Sequence, residues 1–432
     1  MIVYVVQEGD TITSIASKYR VSEKRLQQEN FVSDPNNLAV GDTLVITYPK
    51  QIHIVKDGDT LINIAKEYNI PLMQLYRNNP YLWEVETLTV GQMLVISYHT
   101  KGESMTSAYV FYFVGEDILR TTLPYLTYLS IFNYTLAPKG GLVSDNDETD
   151  IITMAKQFGV QPLLLVSGFD FKGERYPELV FEILQDVENQ MNQANRMIQI
   201  MQEKGYYGVN IVFTLLNERT QPLYIEFLKR VVPYINRAGF KVFTTVDIDF
   251  REVEDGEKFD RVDYSEFNNL VEGTFLRRFY WGTLYGPPRP VASIQDISEY
   301  LAYVKTMIEP KKLNIGFPLL GYLWPLPYIE GFTRANAYTI SASINLANVT
   351  DTPILFDEVS KTPHFRYVNE LPLETIDYEV WFVDARSINE IVKLTIDNKL
   401  QGTGLWNVMS YYPQIWLIIN STFNIIKLLP EE

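Results

Sequence analysis

The sequence predicts a multidomain protein in which two small β-α-α-β modules precede an α/β barrel of the (β/α)₈, or TIM, type. Three observations support this prediction. The first hundred residues contain an internal repeat, strand-like runs alternate with helical patterns after it, and one late stretch is too long for a single strand–helix unit. We therefore expect modules at 1–48 and 49–98, a linker at 99–107, and a barrel at 108–432 with a small α+β insertion at about 319–400.

Composition and charge exclude several function classes. The 432 residues include 37 Lys and Arg against 53 Asp and Glu, which gives a formal net charge of −16 and argues against nucleic acid as a partner. Cysteine is absent, so disulfides, thiolate nucleophiles and cysteine-ligated metals are excluded. The three histidines, His53, His99 and His364, are too scattered for a histidine-rich metal site. We therefore expect neither a metal nor a cofactor.

The sequence shows no targeting signal and no membrane span. The first ten residues lack a basic segment, and their apolar run is too short for the core of a signal peptide. The apolar stretch 415–429 is interrupted by polar residues and is too short to cross a bilayer. These features predict synthesis and folding in a cytoplasm.

An internal repeat relates residues 2–46 to residues 52–96. Each copy has an alternating strand, a Gly-Asp-Thr turn, a helix with apolar residues three and four positions apart, a second short helix and a closing strand. The Asp or Thr of each turn is suited to cap the helix that follows. The matched turn residues and asparagines are Gly9, Asp10, Thr11 and Asn30 in the first copy and Gly58, Asp59, Thr60 and Asn79 in the second.

This doubled pattern resembles the LysM module over the whole length of both copies. The resemblance implies that N-acetylglucosamine-containing glycan, such as peptidoglycan or chitin, binds in a shallow groove. It places the groove at 9–12 with 30–37 in the first copy and at 58–61 with 79–86 in the second. The eight matched residues are the implied glycan-binding residues, although the turn residues are equally explained as helix caps alone. Trp83 is suited either to stacking on a sugar or to burial.

Strand-like runs alternate with helical patterns from Ala108 onward. The predicted strands are 108–114, 127–133, 162–167, 208–214, 241–246, 275–281, 313–318 and 402–408. The clearest helical patterns between them are 147–158, 189–203, 223–238 and 387–399. Eight strands that alternate with helices predict a closed parallel barrel.

Several short strings in this region occur in the order typical of one enzyme family. They include Ser130-Ile-Phe-Asn-Tyr134, Gly316-Phe-Pro-Leu-Leu-Gly-Tyr322 and Glu379-Val-Trp-Phe-Val-Asp-Ala-Arg-Ser387. With the repeat, they make the chain similar to the family-18 glycoside hydrolases, and among these to the LysM-bearing N-acetylglucosaminidases that bacilli and clostridia use on spore-cortex peptidoglycan. The resemblance covers nearly the whole chain and implies a chitinase-like barrel.

The strand that carries catalysis in this family departs from the family pattern. Active members have D-x-x-D-x-D-x-E along the fourth strand, where the Glu protonates the leaving oxygen and the preceding Asp orients the substrate acetamido group. The motif positions here hold Tyr207, Asn210, Val212 and Thr214. Val212 cannot form hydrogen bonds through its side chain, and the Thr214 hydroxyl is not an acid near neutral pH. General acid catalysis contributes about 10²–10⁴-fold, so little activity is expected by this route.

The remaining cleft positions show one further departure and two retained residues. In the sixth strand, Arg277, Arg278 and Phe279 replace the family's Met-x-Tyr, so the phenolic oxygen is missing. Trp406 matches the Trp that floors the sugar subsite, and Trp281 is retained beside the cleft. The degenerate barrel cleft therefore comprises Asn210, Val212, Thr214, Phe279, Trp281 and Trp406.

Other carboxylates near the expected barrel mouth leave a second route to catalysis open. Asp170 follows the third strand, Glu218 lies in the loop after the fourth, and Asp247 and Asp249 follow the fifth. They are also explained as solvated loop charges, or as partners of Arg277 inside the cleft.

The leading hypothesis from the sequence is a non-catalytic protein. It is a LysM-anchored, glycan-binding structural component of the spore envelope (coat, cortex surface or exosporium), made in the mother-cell cytoplasm without a signal peptide. The hypothesis treats the inactive barrel as a scaffold or lectin-like site and includes self-association of the protein. The alternative is an active spore peptidoglycan N-acetylglucosaminidase that uses a displaced carboxylate. A third hypothesis treats the LysM grooves as degenerate and the protein as purely architectural.

Overall fold

The computed structural model describes residues 1–84, 87–170, 173–214, 216–247, 250–253, 256–277, 286–370 and 375–429. The side chains at 84, 247, 250–253 and 256–258 are outside this description. Two small modules and a barrel follow one another along the chain.

The first module packs a two-stranded sheet against two short helices. Its elements are β1 (Ile2–Val5), α1 (Ile12–Tyr19), α2 (Glu23–Asn30) and β2 (Thr43–Ile46). β1 pairs antiparallel with β2, and Ile15 and Leu26 lie in the module's own apolar core. The Ser14 backbone N–H donates to Thr11 Oγ1 at 3.1 Å, and the Thr11 N–H donates to Ser14 Oγ at 3.0 Å. This reciprocal pair starts α1 as a capping box.

The second module repeats this architecture. Its elements are β3 (Pro49–Ile54), α3 (Leu61–Glu67), α4 (Leu72–Asn78) and β4 (Met93–Tyr98). β3 and β4 are antiparallel, and Thr60 caps α3 by accepting from the Asn63 N–H at 3.1 Å. The predicted β-α-α-β repeat is therefore confirmed.

The rest of the chain forms the barrel and its insertion. The strands up to residue 318 are β5 (Glu103–Phe111), β6 (Tyr128–Phe132), β7 (Thr135–Ala137), β8 (Gly141–Val143), β9 (Gln161–Ser167), β10 (Gly208–Phe213), β11 (Lys241–Asp247), β12 (Phe250–Val253), β13 (Gly256–Phe259), β14 (Gly273–Arg277) and β15 (Leu313–Pro318). The later strands are β16 (Gly321–Leu326), β17 (Asn336–Tyr338), β18 (Leu355–Asp357), β19 (Thr362–Glu370), β20 (Thr375–Phe382), β21 (Gly402–Trp406) and β22 (Asn424–Ile425).

The helices of this region lie mostly between consecutive barrel strands. They are α5 (Glu116–Thr122), α6 (Thr149–Gln157), α7 (Pro177–Gln185), α8 (Val187–Lys204), α9 (Gln221–Arg237), α10 (Phe267–Leu270), α11 (Ile294–Val304), α12 (Ile340–Val349), α13 (Ala385–Asp397) and α14 (Pro413–Thr422).

Within the described ranges, eight parallel strands close into a barrel. Their order is β5-β6-β9-β10-β11-β14-β15-β21, and β21 pairs back onto β5. Alternate residues point into the lumen, where Leu163, Phe243 and Phe275 fill the layer nearest the amino ends of the strands. The (β/α)₈ prediction is confirmed.

The insertion is smaller than the sequence predicted. β16 to β20 form one antiparallel sheet in the order β17-β16-β20-β19-β18, so the insertion spans about 321–382 and not 319–400. The periodic segment after it, α13, packs against β15 and β21 and belongs to the barrel.

The predicted linker at 99–107 is shorter in the structure because β5 begins at Glu103. Three of its polar residues, Ser104, Thr106 and Ser107, are buried, whereas His99, Lys101 and Glu103 are exposed. The Thr106 N–H donates to Thr127 Oγ1 at 3.0 Å, and the Thr106 hydroxyl donates to the Tyr125 carbonyl. A polar composition therefore does not distinguish a linker from a barrel strand here.

Helix α14 is buried over all ten of its residues, between the barrel and both modules. The Thr43 hydroxyl donates to Gln414 Oε1 at 2.8 Å, and Asn420 Nδ2 donates to Asn78 Oδ1 at 2.8 Å. The modules therefore supply the surface that covers this apolar stretch. None of the helices in the described ranges has the length and hydropathy that a bilayer crossing requires.

Candidate active site

Neutral polar side chains form a hydrogen-bonded network inside the barrel around Asn210. Asn210 Nδ2 donates to Ser130 Oγ at 3.0 Å, and Thr245 Oγ1 donates to Asn210 Oδ1 at 2.9 Å. The Tyr109 hydroxyl lies 2.6 Å from Thr245 Oγ1. The motif comparison singled out Asn210 and missed its three partners. The alternation of side chains along each strand could have identified these partners, because each of them occupies an inward-facing position of its strand.

The two positions that carry the family's chemistry are packed against their neighbours. Val212 belongs to an apolar cluster in the lumen that also contains Leu165 and Trp406. Thr214 is 7% exposed, and a Cβ added to Gly168 would lie 2.3 Å from its Oγ1. Thr214 also lines a cavity of about 40 Å³ between the barrel wall and helices α7 and α9, which is large enough for a water molecule but too small for a sugar ring. Neither position supplies a carboxylate.

Arg277 covers the retained tryptophan of the cleft. Arg277 is 1% exposed at the end of β14, and its guanidinium carbon lies 4.1 Å from the Trp406 ring centroid and 5.5 Å from that of Phe169. Cation–π contact of this kind stabilises a buried guanidinium. Trp406 is 5% exposed and also contacts Tyr109, at a centroid distance of 5.1 Å. The sequence analysis predicted that Arg277 lies in the cleft, but it did not predict the contact with Trp406.

Asp247 ends the strand next to the motif strand. β10 and β11 are parallel, with Val212 paired to Thr245 and Phe213 to Val246, so the register brings position 247 level with position 214. On its other side, Asp247 pairs with Arg277 of β14. Neighbouring strands lie about 4.8 Å apart. The backbone thus places a carboxylate residue one strand away from Thr214, at the same height in the barrel.

The structure separates the other two described carboxylates that the sequence suggested. Asp170 is buried in the tight loop after β9, where Oδ2 accepts from the Tyr176 hydroxyl at 2.9 Å and Oδ1 accepts from the Glu174 N–H at 3.0 Å. These bonds shape the loop. Glu218 is exposed in the turn before α9. Phe279, Trp281, Arg278 and Asp249 lie outside the described residues.

Both Gly-Asp-Thr turns are held by their aspartate. Asp10 Oδ2 accepts from the Tyr4 hydroxyl at 2.6 Å and from the Gln7 N–H at 2.8 Å. Asp59 Oδ2 accepts from the Lys56 N–H and lies 2.7 Å from His53 Nε2. The backbone hydrogen bond and the imidazole lower the pKa of Asp59, so it stays charged. Each aspartate is thus engaged inside its own module.

The glycines of these turns need their conformational freedom. Gly9 and Gly58 have φ of 80° and 83°, and neither meets an atom within 4 Å of an added Cβ. The Ile12 N–H donates to the Pro35 carbonyl at 3.3 Å, which joins the first turn to the segment after α2. The turn and the 30–37 segment are therefore adjacent, as the predicted groove requires, and glycan contact there stays a prediction.

Asn30 and Asn79 use their amide groups within the modules. Asn30 Nδ2 donates to the Leu26 and Val45 carbonyls, both at 3.0 Å, and its Oδ1 accepts from the Val45 N–H. Asn79 makes the same bonds to Leu75 and Val95. Both are buried, so they position the closing strand, and any contact they make with a glycan is indirect.

Trp83 packs between the second module and the barrel. Its ring stacks on Tyr76 at a centroid distance of 4.1 Å and contacts Phe158 of the barrel at 5.7 Å. Of the two roles that the sequence left open, the structure supports packing.

Comparison with known proteins assigns the modules. The LysM domain family matches residues 4–47 and 53–97. The chain carries two LysM domains. We call the module of residues 4–47 LysM1 and that of residues 53–97 LysM2.

Relatives of known name match this chain from end to end. The cortical fragment-lytic enzyme of Bacillus subtilis (strain 168) is 29% identical over 433 residues, which cover 99% of each chain. The crystal structure of the Bacillus cereus spore cortex-lytic enzyme SleL superposes with a TM-score of 0.80 at 28% identity, again over 99% of each chain. A chitinase from Chromobacterium violaceum shares the barrel fold, with a TM-score of 0.64 at 16% identity over 74% of this chain and 98% of its own. The tandem LysM domains and the chitinase-like barrel are thus both supported.

These relatives overturn the prediction that the protein is non-catalytic. That prediction depended on Val212 and Thr214, and it assumed that the proton donor stands only at the end of the fourth strand. Proteins similar over the full length are named lytic enzymes, which indicates an enzyme and not an inactive scaffold. The non-catalytic hypothesis is therefore wrong, and the alternative of a displaced carboxylate is favoured.

Proposed function

We propose that the protein is a glycoside hydrolase that cleaves N-acetylglucosamine-containing strands of spore-cortex peptidoglycan. One observation carries this proposal, which is the match over 99% of the chain to a cortical fragment-lytic enzyme. A match through the LysM domains alone would support only glycan binding. The end-to-end match extends to the barrel, including the mouth where barrels of this type place their active sites.

Asp247 is the proposed replacement for the missing acid. Glycosidic cleavage needs a group that protonates the leaving oxygen, and a carboxyl group is the usual donor. The β10–β11 register places Asp247 level with Thr214 and one strand away. Asp170 is a weaker candidate because both of its oxygens accept hydrogen bonds from its own loop. Glu218 is exposed in a turn outside the lumen.

Product analysis tests this proposal directly. The purified protein is incubated with cortex fragments, and new reducing ends are identified by mass spectrometry. We expect Asp247→Asn to lower the rate by about 10²-fold or more, since general acid catalysis contributes about 10²–10⁴-fold. Glu218→Gln is the matched control and should change the rate less than about twofold. Absence of new reducing ends with the unmodified protein would contradict the proposal.

The LysM domains are proposed to hold the glycan through the turns at 9–12 and 58–61. Deleting both domains is a poor test because α14 would lose the surface that buries it. Paired substitution Thr11→Ala with Thr60→Ala in the full chain is better. Loss of each cap costs about 1 kcal/mol of stability, so melting curves establish that the variant is folded. We expect its pull-down on peptidoglycan to fall, whereas unchanged binding would show that these residues serve only as caps.

The proposed site of action is the spore envelope, because the full-length relatives are named for the cortex. Immunogold labelling of spore sections would test it, and label confined to vegetative walls would contradict it. Self-association stays a prediction from the sequence, which sedimentation velocity at several concentrations would test.

A further inference from the structure

LysM1 is docked onto loops of the barrel mouth. Asn348 Nδ2 donates to the Asn37 carbonyl at 3.2 Å, and the Ile354 N–H donates to the Val40 carbonyl at 2.9 Å. Asn348 and Ile354 belong to the insertion that follows β15. Both contacts therefore involve the loop after the seventh barrel strand, at the face where (β/α)₈ barrels bind substrates.

The loop after the eighth barrel strand provides a second contact. Phe31 meets Tyr411 edge to face, with ring centroids 5.6 Å apart. Tyr411 lies in the segment between β21 and α14, five residues beyond Trp406. The predicted groove segment 30–37 of LysM1 is thus bounded at one end by this loop and at the other by the insertion.

LysM2 meets the opposite end of the barrel. Arg77 donates to the Pro124 carbonyl at 2.8 Å, and Pro124 lies in the turn that enters β6. Asn78 bonds to Asn420 near the carboxyl end of α14. The two domains are therefore not equivalent, because LysM1 adjoins loops of the mouth and LysM2 adjoins a turn at the amino ends of the strands.

The contacts of Gly41 and Thr43 with the rest of the chain, which we call the LysM1 seam, hold the predicted groove in one orientation. Gly41, with φ of 84°, lies so close to the insertion that an added Cβ would be 2.1 Å from the Ile354 carbonyl oxygen. Arg386 donates to the Gly41 carbonyl at 3.1 Å, and Gln414 Nε2 donates to the Thr43 carbonyl at 2.5 Å. Close backbone contact and buried hydrogen bonds together restrict rotation of LysM1 against the barrel.

Phe31 is an unusual residue at this junction. It ends α2 with φ of 51° and ψ of 43°, and it is 43% exposed. The left-handed conformation is unfavourable for a bulky residue, and glycine is the common choice at such a helix end. The equivalent position in LysM2 is Pro80. An exposed aromatic ring kept in a strained position, between the groove and a mouth loop, points to a ligand that stacks on it.

We propose that LysM1 and the barrel mouth bind one glycan strand together, with Phe31 as the sugar-stacking residue between them. This inference rests on the proposed function and assigns different roles to the two LysM domains. LysM1 positions the strand at the barrel mouth, and LysM2 binds glycan independently of the barrel. Simultaneous binding at two rigidly linked sites raises the affinity for a strand long enough to reach both, and leaves the affinity for a short one unchanged.

Binding measured against glycan length tests the inference. The full chain and its Phe31→Ala variant are titrated with a peptidoglycan tetrasaccharide and with long, size-fractionated cortex strands. We expect Phe31→Ala to weaken binding of long strands about three- to tenfold, the usual effect of one lost aromatic stack, and to leave tetrasaccharide binding unchanged. Phe31→Trp should retain the long-strand affinity, and Val187→Ala, an exposed apolar control on the outer barrel, should change neither.

Two outcomes would overturn the inference. One is an equal loss for long and short strands, and the other is no loss for either. If Phe31→Ala does not fold, Phe31→Asn takes its place, because Asn tolerates the left-handed conformation. Cleavage is scored separately on the same strands. A length-dependent loss of binding without any cleavage would support the inference and contradict the proposed hydrolase activity.

Discussion

One added methyl group measures how tightly LysM1 is fitted to the barrel. Gly41 and Gly91 occupy equivalent turns of the two LysM domains, with φ of 84° and 85°. A Cβ on Gly41 would lie 2.1 Å from the Ile354 carbonyl oxygen, whereas a Cβ on Gly91 meets nothing within 4 Å. The loss of stability in Gly91→Ala therefore measures the conformational cost of alanine alone. The loss in Gly41→Ala measures the same cost together with the contacts broken between LysM1 and the insertion.

The difference between the two variants follows from the seam contacts. Replacing either glycine by alanine lowers the free energy of unfolding by about 1–2 kcal/mol, because an L-residue is unfavourable in the left-handed conformation. Relief of the clash at Gly41 separates LysM1 from the insertion, because the obstacle is backbone. The separation breaks the Ile354–Val40 hydrogen bond, which contributes about 0.5–1.5 kcal/mol, and the Arg386 bond to the Gly41 carbonyl, which contributes about 1.5–3 kcal/mol. Gly41→Ala should therefore destabilise the protein by about 2–4.5 kcal/mol more than Gly91→Ala.

Urea unfolding followed by tryptophan fluorescence measures this difference. Hydrogen exchange followed by mass spectrometry adds the location, because the Ile354 amide should exchange faster in Gly41→Ala and not in Gly91→Ala. Equal unfolding midpoints, or unchanged exchange at Ile354, would show that LysM1 is not tightly held and would refute the reasoning about the seam.

Three further predictions concern charge and hydrogen bonding. Glu29 is 1% exposed, and burial raises its pKa from 4.5 to about 7 although Arg25 lies 3.1 Å away. The stability that Glu29 contributes through its raised pKa is fully present below pH 4.5 and is lost as the pH rises through about 7. The melting temperature should therefore fall between pH 4.5 and pH 7. In Glu29→Gln, the melting temperature should depend less on pH over the same range. Asn79→Ala removes three buried hydrogen bonds and should cost about 2–4 kcal/mol in urea unfolding, whereas a loss below about 1 kcal/mol would contradict the structural role. Introducing Val212→Asp and Thr214→Glu into the Asp247→Asn variant should restore cleavage. It should also lower the melting temperature, since burying carboxylates costs free energy. Failure to restore cleavage in a folded variant would show that the cleft has changed elsewhere.

Local signals in the sequence were sufficient to predict the architecture. The Gly-Asp-Thr turns, with Thr11 and Thr60 as caps, mark both modules because a turn and the helix it starts are neighbours in sequence. The eight barrel strands were recognised by alternation, and their boundaries shifted mainly where polar residues are buried. β5 shows this clearly, because Thr106 is bonded inside the barrel wall and was assigned to a linker.

Long-range packing could not be predicted in the same way. Helix α14 is covered by surfaces that come from the other end of the chain, such as the Thr43–Gln414 pair, which is separated by 371 residues. The contact between Arg277 and Trp406 joins two strands that are not neighbours in the barrel. A motif comparison reads each strand separately, so it registered the missing acid at Thr214 and treated Asp247 as one of several loop carboxylates, whereas the strand register places Asp247 level with Thr214. The wrong prediction of an inactive protein arose from this limitation.

Turnover on purified cortex strands, compared between the unmodified protein and Asp247→Asn, tests the central claim most directly. Our account predicts release of new reducing ends by the unmodified protein and a loss of about 10²-fold or more in the variant, with both proteins showing the same melting temperature within error. Cleavage that survives Asp247→Asn would contradict the assignment of the acid, and the absence of cleavage by the unmodified protein would contradict the assignment of the function.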